Sequence, residues 1–277
     1  WGEAPTNRIW PKGGGLCLKS GSKSKVESCS FISNRASGGG GACCYDASPW
    51  ITKCRFESNE AGLGGGLEVF LSRFQEASIT KCVFVGNRGG SGGAMFFQEV
   101  ETMVADCVSS GNRGISGGAV FCHDASPYLF RCISFKDTAD MNGAALHCQD
   151  HCEPQVVSCT FTHGYLDAER SGSLVHLTDE VHAVFTKCIL SFCTRGQAFR
   201  CSGHGGTSLV SCSNIFGNEF GDWTDCVESQ SGIQGNISAD PLFCDPMNGD
   251  LFLHPDSPCG ADSSGCGTMG ALDVICP

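Results

Sequence analysis

Ile51-Thr52-Lys53-Cys54-Arg55-Phe56 and Ile79-Thr80-Lys81-Cys82-Val83-Phe84 are copies of one another, and Val26-Glu27-Ser28-Cys29-Ser30-Phe31 is a third. Weaker copies centre on Cys107, Cys132, Cys159, Cys188 and Cys212, so the eight cysteines are spaced by 25, 28, 25, 25, 27, 29 and 24 residues. Spacing this even marks a repeat architecture. In the first four units an asparagine follows (Asn34, Asn59, Asn87, Asn112), then a glycine-rich turn, then a Gly-Gly-x-apolar-x-apolar stretch.

That last stretch supplies the pairs Leu16/Leu18, Ala42/Cys44, Leu67/Val69, Met95/Phe97, Val120/Cys122, Leu146/Cys148, Val175/Leu177 and Phe199/Cys201. Apolar residues two apart describe one buried face of a short strand. Asparagine and glycine fill the corners, where the backbone needs positive φ. No 3.6-residue period is sustained, so the chain reads as all-β. A unit of ~25 residues cannot bury its own apolar face and must stack on the next. The expected fold is a three-sided parallel β-helix, a β-solenoid of about 8–9 coils. Its expected parts are an N-terminal segment (1–12), the β-helix (13–221) and a cysteine-rich C-terminal cap or docking segment (222–277).

Composition agrees. Glycine (38 of 277 residues) is in excess, one rich corner per coil, while 41% hydrophobic content supports a true core and excludes a disordered or collagen-like chain. The net charge of −11 argues against nucleic acid or an anionic membrane as partner. No window reaches the ~18 apolar residues of a membrane span. Twenty-one cysteines would be a redox hazard in the cytosol, and the chain opens on Trp1 without a basic-then-apolar leader. It is therefore expected to be a secreted, mature product, extracellular or at a cell surface.

The motifs Phe31-x-x-Asn34, Phe56-x-x-Asn59 and Phe84-x-x-Asn87, with Gly92-Gly93-Ala94-Met95 and Gly117-Gly118-Ala119-Val120, resemble the FxxN and GGA[ILV] repeats of polymorphic outer-membrane proteins. More broadly they resemble right-handed parallel β-helix proteins of the pectate-lyase-like superfamily. The segment from Gly235-Asn236 through Asp240-Pro241-Leu242-Phe243 to Gly270-Ala271 looks like the close of many secreted β-helix repeat proteins. The resemblance implies a right-handed coil. It leaves function open, because that superfamily holds lyases, hydrolases, adhesins and structural rods.

Alignment of the coils sorts the cysteines. Cys29, Cys54, Cys82, Cys107, Cys132, Cys159, Cys188 and Cys212 are expected to form one inward core ladder, and Cys44, Cys122, Cys148 and Cys201 a second inward column. Cys17 and Cys43, at equivalent outward positions, are a disulfide candidate. Cys226, Cys244, Cys259, Cys266 and Cys276 crowd the tail, where two bridges would staple it. Cys152 and Cys193 are assigned to loops.

Between the apolar pairs runs an outward column, Cys17, Cys43, Glu68, Phe96, Phe121, His147, His176 and Arg200. Superfamily substrates lie along such a face. Phe96, Phe121, His147, His176 and Arg200 are the candidate ligand-binding residues, since stacked aromatics suit sugar faces and Arg with His suits acidic groups. The column holds no paired carboxylates for acid–base work, so no catalytic residue is assigned. Thr162–Gly172, with His163, Tyr165, Asp167, Glu169 and Arg170, is the one stretch long enough to wall a cleft. His147-Cys148-Gln149-Asp150-His151-Cys152 has metal-ligand residue types, but inward Cys148 and outward His147 cannot share an ion, so neither metal nor cofactor is expected. Ser202-Gly203-His204-Gly205-Gly206 echoes one polygalacturonase element without the others. Two functions remain: a non-catalytic extracellular rod (filament subunit, adhesin or binding module) or a carbohydrate-active enzyme, lyase or hydrolase, on an acidic polysaccharide. Head-to-tail self-association and a surface glycan are the expected partners.

Overall fold

The structure, a computed structural model, describes residues 13–71, 77–167, 172–260 and 265–276. The segment 1–12 proposed as an N-terminal element lies outside them, as do Glu169 and Arg170 of the proposed wall.

Three eight-stranded parallel sheets make the sides of the coil. Sheet I holds Leu16–Lys19, Ala42–Tyr45, Leu67–Phe70, Met95–Gln98, Val120–His123, Leu146–Gln149, Gly172–Thr178 and Gly196–Ser202. Sheet II runs from Lys25–Glu27 through Trp50–Thr52, Ala77–Thr80, Thr102–Ala105, Tyr128–Phe130, Gln155–Val157 and His182–Thr186 to Thr207–Ser211. Sheet III runs from Ser30–Ile32 to Asn214–Phe216. A shorter fourth sheet, in place of the expected glycine-rich turn, joins Glu60–Leu63, Arg88–Ser91, Arg113–Ser116, Thr138–Asn142 and Tyr165–Leu166. Eight coils at ~4.8 Å per step give a rod roughly 35 Å long.

The repeat motifs become ladders. Phe31, Phe56 and Phe84 stack with centroids 4.8 and 4.7 Å apart and interplanar angles of 14° and 6°. The asparagines bond one coil onward: the backbone N–H and Nδ2 of Asn59 both donate to Asn87 Oδ1, and those of Asn87 to Asn112 Oδ1. Asp137 ends this run. Its carboxylate accepts from the backbone N–H and Nδ2 of Asn112 and from Ser109 and Ser134 Oγ, all within 2.9 Å. Burial still raises its pKa to about 6, against the pull of those donors.

The thiol ladder is a hydrogen-bond ladder as well as packing. Cys54 N–H donates to Cys82 Sγ (3.5 Å) and Cys82 N–H to Cys107 Sγ (3.4 Å), while each Sγ donates to a backbone carbonyl such as Thr80 O. The column sits at a tight two-residue corner between sheets II and III. A small group that both accepts and donates suits an otherwise unpaired backbone there.

Two sequence assignments are corrected at this corner. Cys29, in the first coil, is exposed rather than buried. Cys212 is one residue out of register: Ser211 pairs with Thr186 and Asn214 with Ile189, so Ser213 takes the ladder position and receives Cys188 N–H at 3.0 Å. Cys212 occupies the outward, left-handed corner position (φ 49°) that Lys187 fills in the preceding coil.

Outward there, Cys212 is free to bond the tail, and does so with Cys266. Cys201 keeps its column but lies in the last coil, with no further coil above it, and bonds Cys226. Cys244 pairs with Cys276. Cys17 and Cys43 are in register yet remain thiols, and Cys259 is a buried thiol receiving Asn214 Nδ2 at 3.1 Å. Cys152 and Cys193 lie in the connections between strands, with their side chains buried in the main core.

The tail substitutes for a ninth coil. Gln230 Oε1 accepts Val210 N–H and its Nε2 donates to Ser208 O, each at 2.7 Å. Asn236 Oδ1 accepts Ser213 N–H at 3.1 Å. Val227 is fully buried, and Trp223 and Cys226 pack on the core. The chain then doubles back along sheet III, where Leu253, Cys259 and Met269 enclose Ile189 and Lys136 Nζ reaches Met247 O.

Candidate functional site

The outer face of sheet I is decided by the corner before it. Gly39, Gly64, Gly92, Gly117 and Gly143 all have φ between 56° and 70°. A Cβ on Gly92 would stand 2.0 Å from Met95 O, and one on Gly117 2.5 Å from Val120 O. Only glycine permits so sharp a reversal. It brings the fourth sheet alongside the outward row of sheet I: Gly38 lies against the Glu68 carboxylate, and the Asn142 backbone against His147.

The register Cys17–Cys43–Glu68–Phe96–Phe121–His147–His176–Arg200 is continuous across the sheet. Its rings are in contact, Phe96 stacked on Phe121 at 5.7 Å, Phe121 tilted against His147 at 4.7 Å and His147 edge-on to His176 at 4.6 Å. The expectation of an open face is corrected here: Phe96, Phe121, His147 and His176 are between 4 and 7% exposed, and Glu68 is buried too. Arg200, at the end of the row, is half-buried.

Burial governs the electrostatics. It pushes the His147 pKa down to about 3, aided by adjacent His176, and that of His176 down to about 4, aided by Arg200. Both rings are neutral at pH 7. His176 Nε2 meets Ser202 Oγ at 3.0 Å, while neither buried nitrogen of His147 has a hydrogen bond of good geometry. Burial, with the Glu68 charge, raises the Cys43 thiol well above its ordinary value.

The other sequence-derived sites are dispersed. Tyr165 OH receives Arg195 at 3.0 Å and Asp167 pairs with Arg113, which holds them against the rod rather than raised as a wall. Of the His147–Cys152 run, His147 is enclosed, Cys148 faces the core, and exposed His151 contacts Glu180 at 2.9 Å and Asp124 at 3.3 Å. Among the described residues, no group of three His, Cys, Asp or Glu is placed to hold a metal. Asn236, which with Ile237 and Ser238 forms a glycosylation motif, is committed to the cap, its Nδ2 donating to Val210 O at 2.8 Å.

Sheet II presents the opposite surface. Its outer row, in register, is Lys25, Trp50, Ser78, Met103, Tyr128, Gln155, Val184 and Leu209. Trp50 is 63% exposed, and Met103 and Tyr128 each 39%. Beside Met103 and Tyr128 lies a groove of about 390 Å3, lined also by Glu101, Thr102, Ser126, Pro127, Glu153 and Gln155. The sequence carries this row four residues before each ladder position, a column with no Gly-Gly motif beside it to mark it as a face.

The family description "Right handed beta helix region" matches residues 6–165. The chain belongs to the right-handed β-helix family. No curated protein and no solved structure gives a significant match to it. As a right-handed β-helix protein it has two further marked features. Three disulfides gather in the last coil and tail and point to an oxidising compartment. Among the described residues no helix is long and apolar enough to cross a membrane.

Proposed function

We propose that the chain is a non-catalytic extracellular β-helical rod that works as a binding module. The observation that carries this reading is the enclosure of the sheet I row. The aromatic, imidazole and carboxylate groups most suited to chemistry are buried against the fourth sheet, and the two imidazoles are uncharged at neutral pH. The disulfides support an extracellular setting. The cap favours a single rod over an end-to-end filament, because a partner's coil would have to displace tail groups that already satisfy the last coil's backbone.

Incubation with neutral and acidic polysaccharides, with and without calcium, tests the absence of turnover. No new reducing ends and no unsaturated products are expected. Product release that disappears in Glu153→Gln or His176→Gln sinks the reading.

A further inference from the structure

The groove on sheet II has the makings of a ligand site in its own right. Glu101, Ser126 and Glu153 lie at equivalent positions on three successive coils, each two residues before the outward row of Met103, Tyr128 and Gln155. Two coil steps put the carboxylate-bearing residues about 10 Å apart along the rod. Ser126 Oγ accepts Glu153 N–H at 3.0 Å, which fixes the turn that carries the second carboxylate. Thr102, also in the lining, is 2% exposed and lies on the inward face of its strand with Val104.

The remaining lining is aromatic and amphipathic. Tyr128 is 39% exposed with Phe130 stacked beside it at 6.2 Å, Met103 is its neighbour one coil before, and Gln155 supplies an amide one coil further on. Trp50 lies three coil steps from Tyr128 in the same row, roughly 14 Å along the rod. Ring platforms at intervals along a straight track, with polar groups beside them, match an extended chain of flat, hydroxyl-rich units. The coil step is close to the length one pyranose adds to such a chain.

Charge selects among glycans. None of the described lining residues is basic, and two carboxylates face the groove. Carboxylates accept hydrogen bonds from sugar hydroxyls and repel uronates. A second copy of the rod fits poorly, since a dry interface would leave the carboxylates and Gln155 without donors. We propose that the outer row of sheet II, centred on Tyr128 between Glu101 and Glu153, binds an uncharged extended pyranose chain. This rests on the reading of the chain as an extracellular binding rod.

Calorimetric titration of the whole chain with three hexasaccharides, of glucose (β-1,4), of N-acetylglucosamine (β-1,4) and of galacturonate, tests it. At least one of the two neutral chains is expected to bind, and galacturonate at least tenfold more weakly. Tyr128→Ala should weaken the neutral ligand about tenfold, the yield of one ring platform, with unfolding unchanged. Glu101→Gln/Glu153→Gln should narrow the discrimination against galacturonate. No binding by either neutral chain, equal or tighter binding of galacturonate, or an unaltered Tyr128→Ala titration overturns the proposal. So does a concentration-dependent dimer, seen by sedimentation and lost in Tyr128→Ala, with no sugar bound. Mass spectrometry of the recovered ligand keeps the two readings apart. Binding with cleavage removes the non-catalytic rod and leaves the groove, whereas no binding and no cleavage removes the groove alone.

Discussion

The outer rows of sheets I and II obey the same alternation and meet opposite fates. Each is the outward half of a strand whose inward half packs the core. Phe121 in the first is enclosed, and Tyr128, seven residues later in the same coil, is open. The difference lies in the corners. Sheet I is entered through a wide turn that includes the fourth sheet and closes on a left-handed glycine, so backbone comes to lie beside its outer row. Sheet II leaves by a two-residue corner, such as Lys53-Cys54, that overhangs nothing. Outward is therefore not the same as exposed. In a solenoid the length of the adjoining turn decides which sheet face a ligand can reach.

A charge placed in each row is the harshest way to break this comparison. Phe121→Asp buries an unpaired carboxylate and should cost about 4 kcal/mol or more. Tyr128→Asp leaves its carboxylate in water and should change stability by less than about 1 kcal/mol. Urea unfolding of both variants measures the contrast, and equal losses would mean that the two faces are not different environments.

Acid probes the same contrast without mutation. His147 and His176 have folded pKa values, about 3 and about 4, below the ordinary 6.5. The unfolded chain therefore takes up protons first, and stability falls as pH drops below 6.5, down to the folded values. Each ring gives up about 2 kcal/mol by pH 5 on that account. The double variant His147→Phe/His176→Phe continues the row of rings and should flatten this part of the curve. Unfolding midpoints between pH 7.5 and 4.5 decide it; superimposable curves for the two proteins would rule out the enclosed imidazoles as the cause.

Much of this was legible in the sequence, and the limits have physical causes. Stacking at a fixed period is a one-dimensional problem, so the cysteine and Phe-x-x-Asn spacings carried the coil, its inward columns and the class of fold. Register errors entered where one residue shifts the column. Cys212 sits beside Ser213, which does the ladder's work, and spacing alone does not tell a thiol from a hydroxyl that accepts the same bond. Cys201 kept its column but met a tail rather than another coil, a contact with no periodic signature. The exposure of the Trp50–Tyr128 row and the enclosure of Phe121 depend on turn paths in three dimensions, which alternation does not encode. Asp137 breaks the asparagine spacing although its carboxylate accepts the same bonds from Asn112, so the motif does not mark it.

Asp137 gives the smallest effect and isolates the imidazoles as the acid-sensitive groups. Its folded pKa, about 6, lies above the ordinary 3.8, so its contribution has the opposite sign: stability rises as pH falls through 6 towards 3.8. The wild-type acid loss is thus partly masked, by about 1 kcal/mol at pH 5. Asparagine at 137 can copy the preceding coil, where Asn112 Nδ2 donates to Ser109 Oγ and Asn87 bonds Asn112 Oδ1. Asp137→Asn should therefore add about 1 kcal/mol at pH 7, where it removes a buried charge, and should steepen the fall between pH 6 and 4.5. A loss of stability at pH 7 instead would show that Ser109 and Ser134 need the charged acceptor, and that the ladder's end is tuned for a carboxylate rather than tolerating one.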